Sequence, residues 1–149
     1  MVIKESPLTE QLCGELIALS REWEDEDSCR GYRANTAEDL SGRRIFTARK
    51  DGELVGYLFG LLEREKNGNS VLKKDEAYFE LEELYVKPAF RSQGLGRALY
   101  ARAEQTLRCE ASAILLSTAT KDWRRILHFY LEELGMDFWS ARLFHRITD

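Results

Sequence analysis

Glu82-Glu83-Leu84-Tyr85-Val86-Lys87-Pro88 and, after Ala89-Phe90, Arg91-Ser92-Gln93-Gly94-Leu95-Gly96-Arg97-Ala98-Leu99 form the stretch on which the fold turns. Leu84, Tyr85 and Val86 favour a strand, and Pro88 stops it. Leu95, Leu99, Ala103 and Leu107 recur at the spacing of one helix face. A basic loop with two glycines therefore joins a strand end to a helix start. The first N–H groups of a helix have no internal partner and sit at the positive end of its dipole. Gly94 and Gly96 lack a Cβ, so a ligand can approach the backbone, and Arg91 and Arg97 add positive charge. Such a site suits a di-anion such as a pyrophosphate.

Two other nucleotide motifs do not fit. A dinucleotide fingerprint needs a further glycine where Leu99 stands, and the Gly-Lys-Ser/Thr of a P-loop does not occur. The succession of strand, proline turn, glycine loop and helix resembles the coenzyme A site of the GNAT-superfamily N-acetyltransferases. Their pattern Arg/Gln-x-x-Gly-x-Gly/Ala matches Arg91, Gly94 and Gly96. The resemblance implies acetyl-CoA as co-substrate. It would be bound by Leu84, Tyr85 and Val86 on the strand and by Arg91, Ser92, Gln93, Gly94, Leu95, Gly96 and Arg97 on the loop.

The chain of 149 residues is read as one domain, 1–149. Its hydrophobic share of 44% and charged share of 32% are those of a folded globular protein. A net charge of −4 argues against nucleic acid as the main partner and leans toward a cationic substrate. Cys13, Cys29 and Cys109 are scattered and lack metal spacing, so no metal is expected and the thiols are read as free. With neither a signal-peptide pattern nor a long apolar run, the expected location is cytoplasmic, away from membranes.

Strands are expected at Val2–Glu5, Arg44–Lys50, Glu53–Glu63, Ala77–Val86 and Ala113–Thr118, with a hairpin turn at Asp51-Gly52. In the second hairpin arm Val55, Tyr57, Phe59 and Leu61 alternate on one face. Helices are expected after Thr9, with Leu12, Leu16 and Leu19 inward, at Thr36–Leu40, at Leu95–Leu107, and from Thr120 or Asp122 to Gly135. Asp137 to Ile147 reads as a closing pair of strands, and exposed aromatics such as Trp139 and Phe144 are candidates for a homodimer contact. This order is that of an α/β (α+β) GNAT-like fold. Its sheet is mixed and mostly antiparallel, with a splayed parallel pair (strands four and five), flanked by about four helices.

Parity adds one detail. Leu81 cannot share a face with Leu84 and Val86 unless a residue near Glu82-Glu83 is accommodated as a β-bulge. Such a bulge would bend the strand and open a wedge able to hold an amide-bearing ligand. The pantetheine arm is such a ligand, and the resemblance implies the same wedge.

Acetyl transfer to an amine needs positioning, a neutral nucleophile and a proton for the departing thiolate. Glu82 and Glu83 lie where the wedge opens and are the candidate bases, Glu82 being favoured by its match to the family position. Tyr130, in the Phe129-Tyr130…Gly135-Met136 segment that matches the family's Phe-Tyr…Gly-Phe, is the candidate acid. Many members carry Asn where this chain has Trp123. The expected function is acetyl-CoA-dependent transfer of an acetyl group to a primary amine of a small molecule through a ternary complex. The alternatives are a protein or peptide N-acetyltransferase and a non-catalytic coenzyme-A-binding module. In the small-molecule case the segment Trp23–Leu40 should cover the acceptor; the acids Glu22–Asp27 at its start read as a solvated helix end or as a rim that attracts the amine.

Overall fold

The computed structural model describes residues 1–148. One sheet, in the order β1 (Val2–Glu5), β2 (Arg44–Lys50), β3 (Glu53–Arg64), β4 (Ala77–Val86) and β5 (Ala113–Leu115), organises the molecule. The first three pairings are antiparallel and β4–β5 is parallel. Helices α1 (Glu10–Glu26) and α2 (Ala37–Leu40) cover one face, and α3 (Leu95–Leu107) covers the other. Helix α4 (Trp123–Leu127) runs directly into a π-helical turn, His128–Glu133.

Local chemistry explains the element ends. The Thr9 hydroxyl accepts the Leu12 N–H at 3.1 Å and starts α1. Thr36 and Asp39 form a reciprocal capping box around the first turn of α2. Asp51 and Gly52 both adopt positive φ, 50° and 83°, as the tight β2–β3 turn requires.

Two cores follow from strand alternation. Beneath α3, Leu95, Leu99, Ala103 and Leu107 pack on Phe46, Val55, Leu58, Phe79 and Leu81. Beneath α1, Leu12, Leu16 and Leu19 pack on Ile45, Leu54, Tyr57, Phe59 and Tyr85. Phe59 pairs with Glu83 but Gly60 pairs with Leu81, so Glu82 is the extra residue of a bulge in β4. The bulge brings Leu84 and Val86 onto the same core as Leu81, as parity required. A second bulge was not foreseen. Ala48 pairs with Gly56 and Arg49 with Leu54, which leaves Val55 extra and turns it away from Tyr57 and Phe59.

Three expectations are corrected. Strand β5 ends at Leu115, because the chain then leaves β4 and pairs at Thr120 with Cys29. The single expected helix after Thr120 is a short α-helix followed by a π turn, in which the Leu134 N–H reaches the Phe129 carbonyl at 3.0 Å. The closing pair of strands at Asp137–Ile147 is absent among the described residues. That segment is anchored by side chains instead, with the Trp139 indole N–H on Ser70 Oγ at 2.9 Å and Arg30 over the Phe144 ring. A strand requires a paired neighbour along its backbone, and this segment has none among the described residues.

Candidate active site

Strand β4 is paired with β3 along its whole length but with β5 only over Tyr78–Glu80. From Leu81 to Val86 its other edge has no strand against it among the described residues, so the sheet opens at the bulge. A Cβ on Gly60 would lie 2.1 Å from the Glu80 carbonyl oxygen, so only glycine lets β3 follow β4 through this bend.

The two bulge-region acids part company. Glu82 is held by the Arg43 guanidinium through both carboxylate oxygens, at 2.9 and 3.1 Å, on the outer surface. Glu83 turns into the molecule beneath α1. Its Oε1 accepts hydrogen bonds from Tyr57 Oη at 2.9 Å, Tyr32 Oη at 3.0 Å and Asn35 Nδ2 at 3.0 Å. Burial pushes the Glu83 carboxyl up from its usual range, while the three donors pull it back part of the way. Glu83 is thus enclosed by donors, whereas Glu82 is engaged in an outer ion pair.

Tyr32 and Asn35 come from the loop between α1 and α2, which shows no periodicity in sequence. Asn35 is held in turn by Ser20, fully buried in α1, whose Oγ accepts the Asn35 N–H at 2.9 Å and donates to the Ile17 carbonyl at 2.8 Å. Trp23 packs at a tilt against Tyr32 and stacks on Tyr85, with ring centroids 4.3 and 5.3 Å apart. None of Ser20, Tyr32, Asn35 or Tyr57 was singled out as a site residue from sequence. The only available signals were a serine on the apolar face of α1 and a tyrosine on an inward strand position.

The glycine loop lies at the end of β4. Ser92 (φ 60°) and Gly94 (φ 79°) both adopt left-handed conformations, and the first α3 hydrogen bond runs from the Ala98 N–H to the Gly94 carbonyl at 3.0 Å. The N–H groups of Leu95, Gly96 and Arg97 precede that bond and have no intrahelical acceptor. Nothing lies within 4 Å of a Cβ position on Gly94, and Ser92, Gln93 and Arg97 are exposed. Backbone, space and charge therefore suit the diphosphate of coenzyme A.

Two loop residues also make contacts within the protein. The Arg91 guanidinium turns inward, donating to the Val86 carbonyl at 2.8 Å and to both Glu26 oxygens at 2.9 Å, over the Tyr85 ring. Gly96 makes room for a neighbour: a Cβ there would come within 3.2 Å of Phe129 Cζ. Leu84 and Val86 pack into the α3 core, and the Tyr85 hydroxyl donates to Glu26.

Phe129 touching Gly96 seats the π turn against the start of α3. Tyr130, next to it, is half-buried near Tyr100 and Cys29, and burial pushes its phenol up to about 12. Trp123, where many relatives carry Asn, is half-exposed with Arg124 over its ring. Of the acidic Glu22–Asp27 segment, Glu26 binds Arg91, Asp27 binds Lys121 and Glu24 accepts the Ala34 N–H. These three serve structure, which weakens the idea of a rim kept for substrate.

The model of the Acetyltransferase (GNAT) family matches residues 11–136. The chain belongs to the GNAT acetyltransferase family. Solved structures agree on the GNAT fold. A tetramutant of the BH1408 protein from Bacillus halodurans is 18% identical, covering 99% of this chain and 100% of its own, with a TM-score of 0.76. The aminoglycoside N-acetyltransferase AAC(6')-Iy, solved in complex with CoA, is 16% identical over 99% of this chain and 100% of its own, with a TM-score of 0.69. A ribosomal-protein-alanine N-acetyltransferase from Brucella melitensis biovar Abortus is 18% identical over 98% and 100%, with a TM-score of 0.69. No curated protein matches the sequence significantly. Among the described residues of this GNAT chain, no group of three or more His, Cys, Asp or Glu is placed to hold a metal ion. No described helix is long and apolar enough to cross a membrane.

Proposed function

We propose that this protein is an acetyl-CoA-dependent N-acetyltransferase that passes an acetyl group directly to a primary amine of a small molecule within a ternary complex. The observation that carries the reading is Glu83, a carboxylate enclosed at the β4 bulge beside the open edge Leu81–Val86. Acetyl-CoA, when bound, supplies an activated acyl thioester. The N–H groups of Leu95, Gly96 and Arg97, which have no intrahelical acceptor, with Ser92, Gln93 and Gly94, would hold its diphosphate. The backbone of Leu84, Tyr85 and Val86 would pair with its amide arm. Arg91 supports this loop from behind through Glu26.

Glu83 takes the proton that an ammonium must lose to become a nucleophile, directly or through water. Its raised pKa makes it a better base than a surface carboxylate, and it stays deprotonated only above that pKa, so turnover should fall as the solution is acidified. Tyr130 keeps its proton at Oη across the physiological range and stands ready to give it to the leaving sulfur. Tyr32 and Asn35 reach from the 28–36 loop to Glu83, which narrows the approach and favours a small amine over an extended peptide. Free Cys13, Cys29 and Cys109 support a reducing, cytoplasmic setting.

The test is a panel of polyamines, aminoglycosides, amino acids and short peptides incubated with acetyl-CoA, read by mass gain and by thiol release. One or more small amines should gain an acetyl group, and Glu83→Gln should abolish most of that gain. Silence across the panel, in protein that binds coenzyme A by calorimetry, would overturn the reading in favour of a binding module.

A further inference from the structure

All three donors that reach Glu83 converge on one of its two oxygens. Tyr57 from β3, Tyr32 and Asn35 from the α1–α2 loop all bind Oε1, at 2.9 to 3.0 Å. No donor among the described residues reaches Oε2. Nor is Oε2 sealed away, since no buried side-chain oxygen or nitrogen among the described residues lacks a partner. A carboxylate with one oxygen saturated and the other accessible has a defined working atom. We propose that Tyr32, Asn35 and Tyr57 are positioning residues that lock Glu83 through Oε1, so that Oε2 alone is presented to receive a proton from the acceptor amine. This rests on the proposed acetyl transfer for its use, but the lock itself is a property of the free protein.

The surroundings of Glu83 make the lock specific. Tyr57 is fully buried and its ring stacks on Phe59, so its hydroxyl is fixed by the core. Asn35 is fixed through the Ser20 bond to α1, and Tyr32 through packing against Trp23. Burial and the Glu83 charge hold both phenols well above their usual range, so they remain donors at any pH at which the protein works. The other charge that bears on Glu83 is Glu82 on the same strand, which raises its pKa and is itself neutralised in part by Arg43. The three bonds to Glu83 end on a charged acceptor, the strong form of a buried hydrogen bond.

Donors to an ionised carboxylate lower its pKa, so removing one must raise it. The lock therefore predicts a titration. With 13C-labelled glutamate, the Glu83 carboxyl resonance, identified by its loss in Glu83→Gln, is followed against pH in the free protein. Tyr57→Phe, Tyr32→Phe and Asn35→Ala should each shift that titration to higher pH, and Ser20→Ala should shift it less. With an acceptor from the panel, the acid limb of kcat/KM should move the same way. About tenfold of kcat should be lost at neutral pH and regained at higher pH, with KM for acetyl-CoA unchanged. A purely structural role would lower activity at every pH and leave the titration alone. An unmoved titration in the two loop variants, Tyr32→Phe and Asn35→Ala, would overturn the proposal even if Tyr57→Phe failed to fold. Because the titration needs no acceptor, a silent amine panel would remove the acetyl-transfer reading without touching this result.

Discussion

The two faces of β4 are built from one run of residues and do opposite jobs. Facing α3, Phe79, Leu81, Leu84 and Val86 are apolar and their contribution is area removed from water. Facing α1, Glu83 and Tyr85 carry polar atoms into the interior, where Glu83 Oε1 accepts from three donors and the Tyr85 hydroxyl donates to Glu26. A single extra residue, Glu82, separates the two patterns. The difference teaches that the bulge does more than open a wedge. It lets the strand keep its apolar face on one core while delivering a carboxylate to the other side at the point where the sheet splays.

The strongest way to break this comparison is to remove the bend that serves both faces. Gly60→Ala places a Cβ 2.1 Å from the Glu80 carbonyl and 2.8 Å from Phe79 Cζ, so β4 must move. We expect a loss of more than ~4 kcal/mol, or no folded protein, by urea unfolding. Next comes the polar face alone. Glu83→Gln should leave unfolding and coenzyme A calorimetry close to the parent while lowering kcat by about 10²- to 10⁴-fold. Loss of folding would instead assign Glu83 to structure.

The apolar face alone is tested by Leu81→Ala, which removes a side chain that is 4% exposed. It should cost about 2–4 kcal/mol of stability and leave the pH dependence of kcat/KM unchanged. A shifted pH profile in that variant would mean the faces are not separable. Tyr130→Phe removes one hydroxyl from the π turn. It should reduce kcat about 10- to 100-fold and flatten any alkaline limb, since the phenol is pushed up to about 12. The smallest effect is expected from Glu26→Gln, which weakens the hold on Arg91 and the Tyr85 hydroxyl. About 1 kcal/mol of stability should go, with the Kd for coenzyme A within roughly threefold. A larger change in Kd would mean that Arg91 itself contributes to holding the cofactor.

Much of the framework was legible because it rests on short-range rules. The spacing of Leu95, Leu99, Ala103 and Leu107 marked α3, Thr9 and Thr36 marked helix starts, and Asp51-Gly52 marked the hairpin. Even the β4 bulge followed from parity, because three apolar residues had to reach one core. The same argument missed the bulge at Val55, since valine suits either face and breaks no pattern visible in the sequence. The closing strands failed for a related reason: residue types in Asp137–Ile147 describe a capacity to pair, and pairing depends on where another edge lies.

The sequence by itself determined the order of elements, the glycine loop and the presence of two adjacent acids at a strand irregularity. These are written in periodicity, turn chemistry and residue type, all local properties. Only the tertiary structure decided which acid is enclosed, that Arg91 is turned onto Glu26, that Gly96 yields space to Phe129, and that Tyr32, Asn35 and Tyr57 converge on Glu83 while Ser20 holds Asn35. Those partners are separated by up to dozens of residues along the chain and meet only when α1, its following loop and β3 close over β4. Hydrogen bonds and burial act through distance in space, and no period in a linear sequence records that distance.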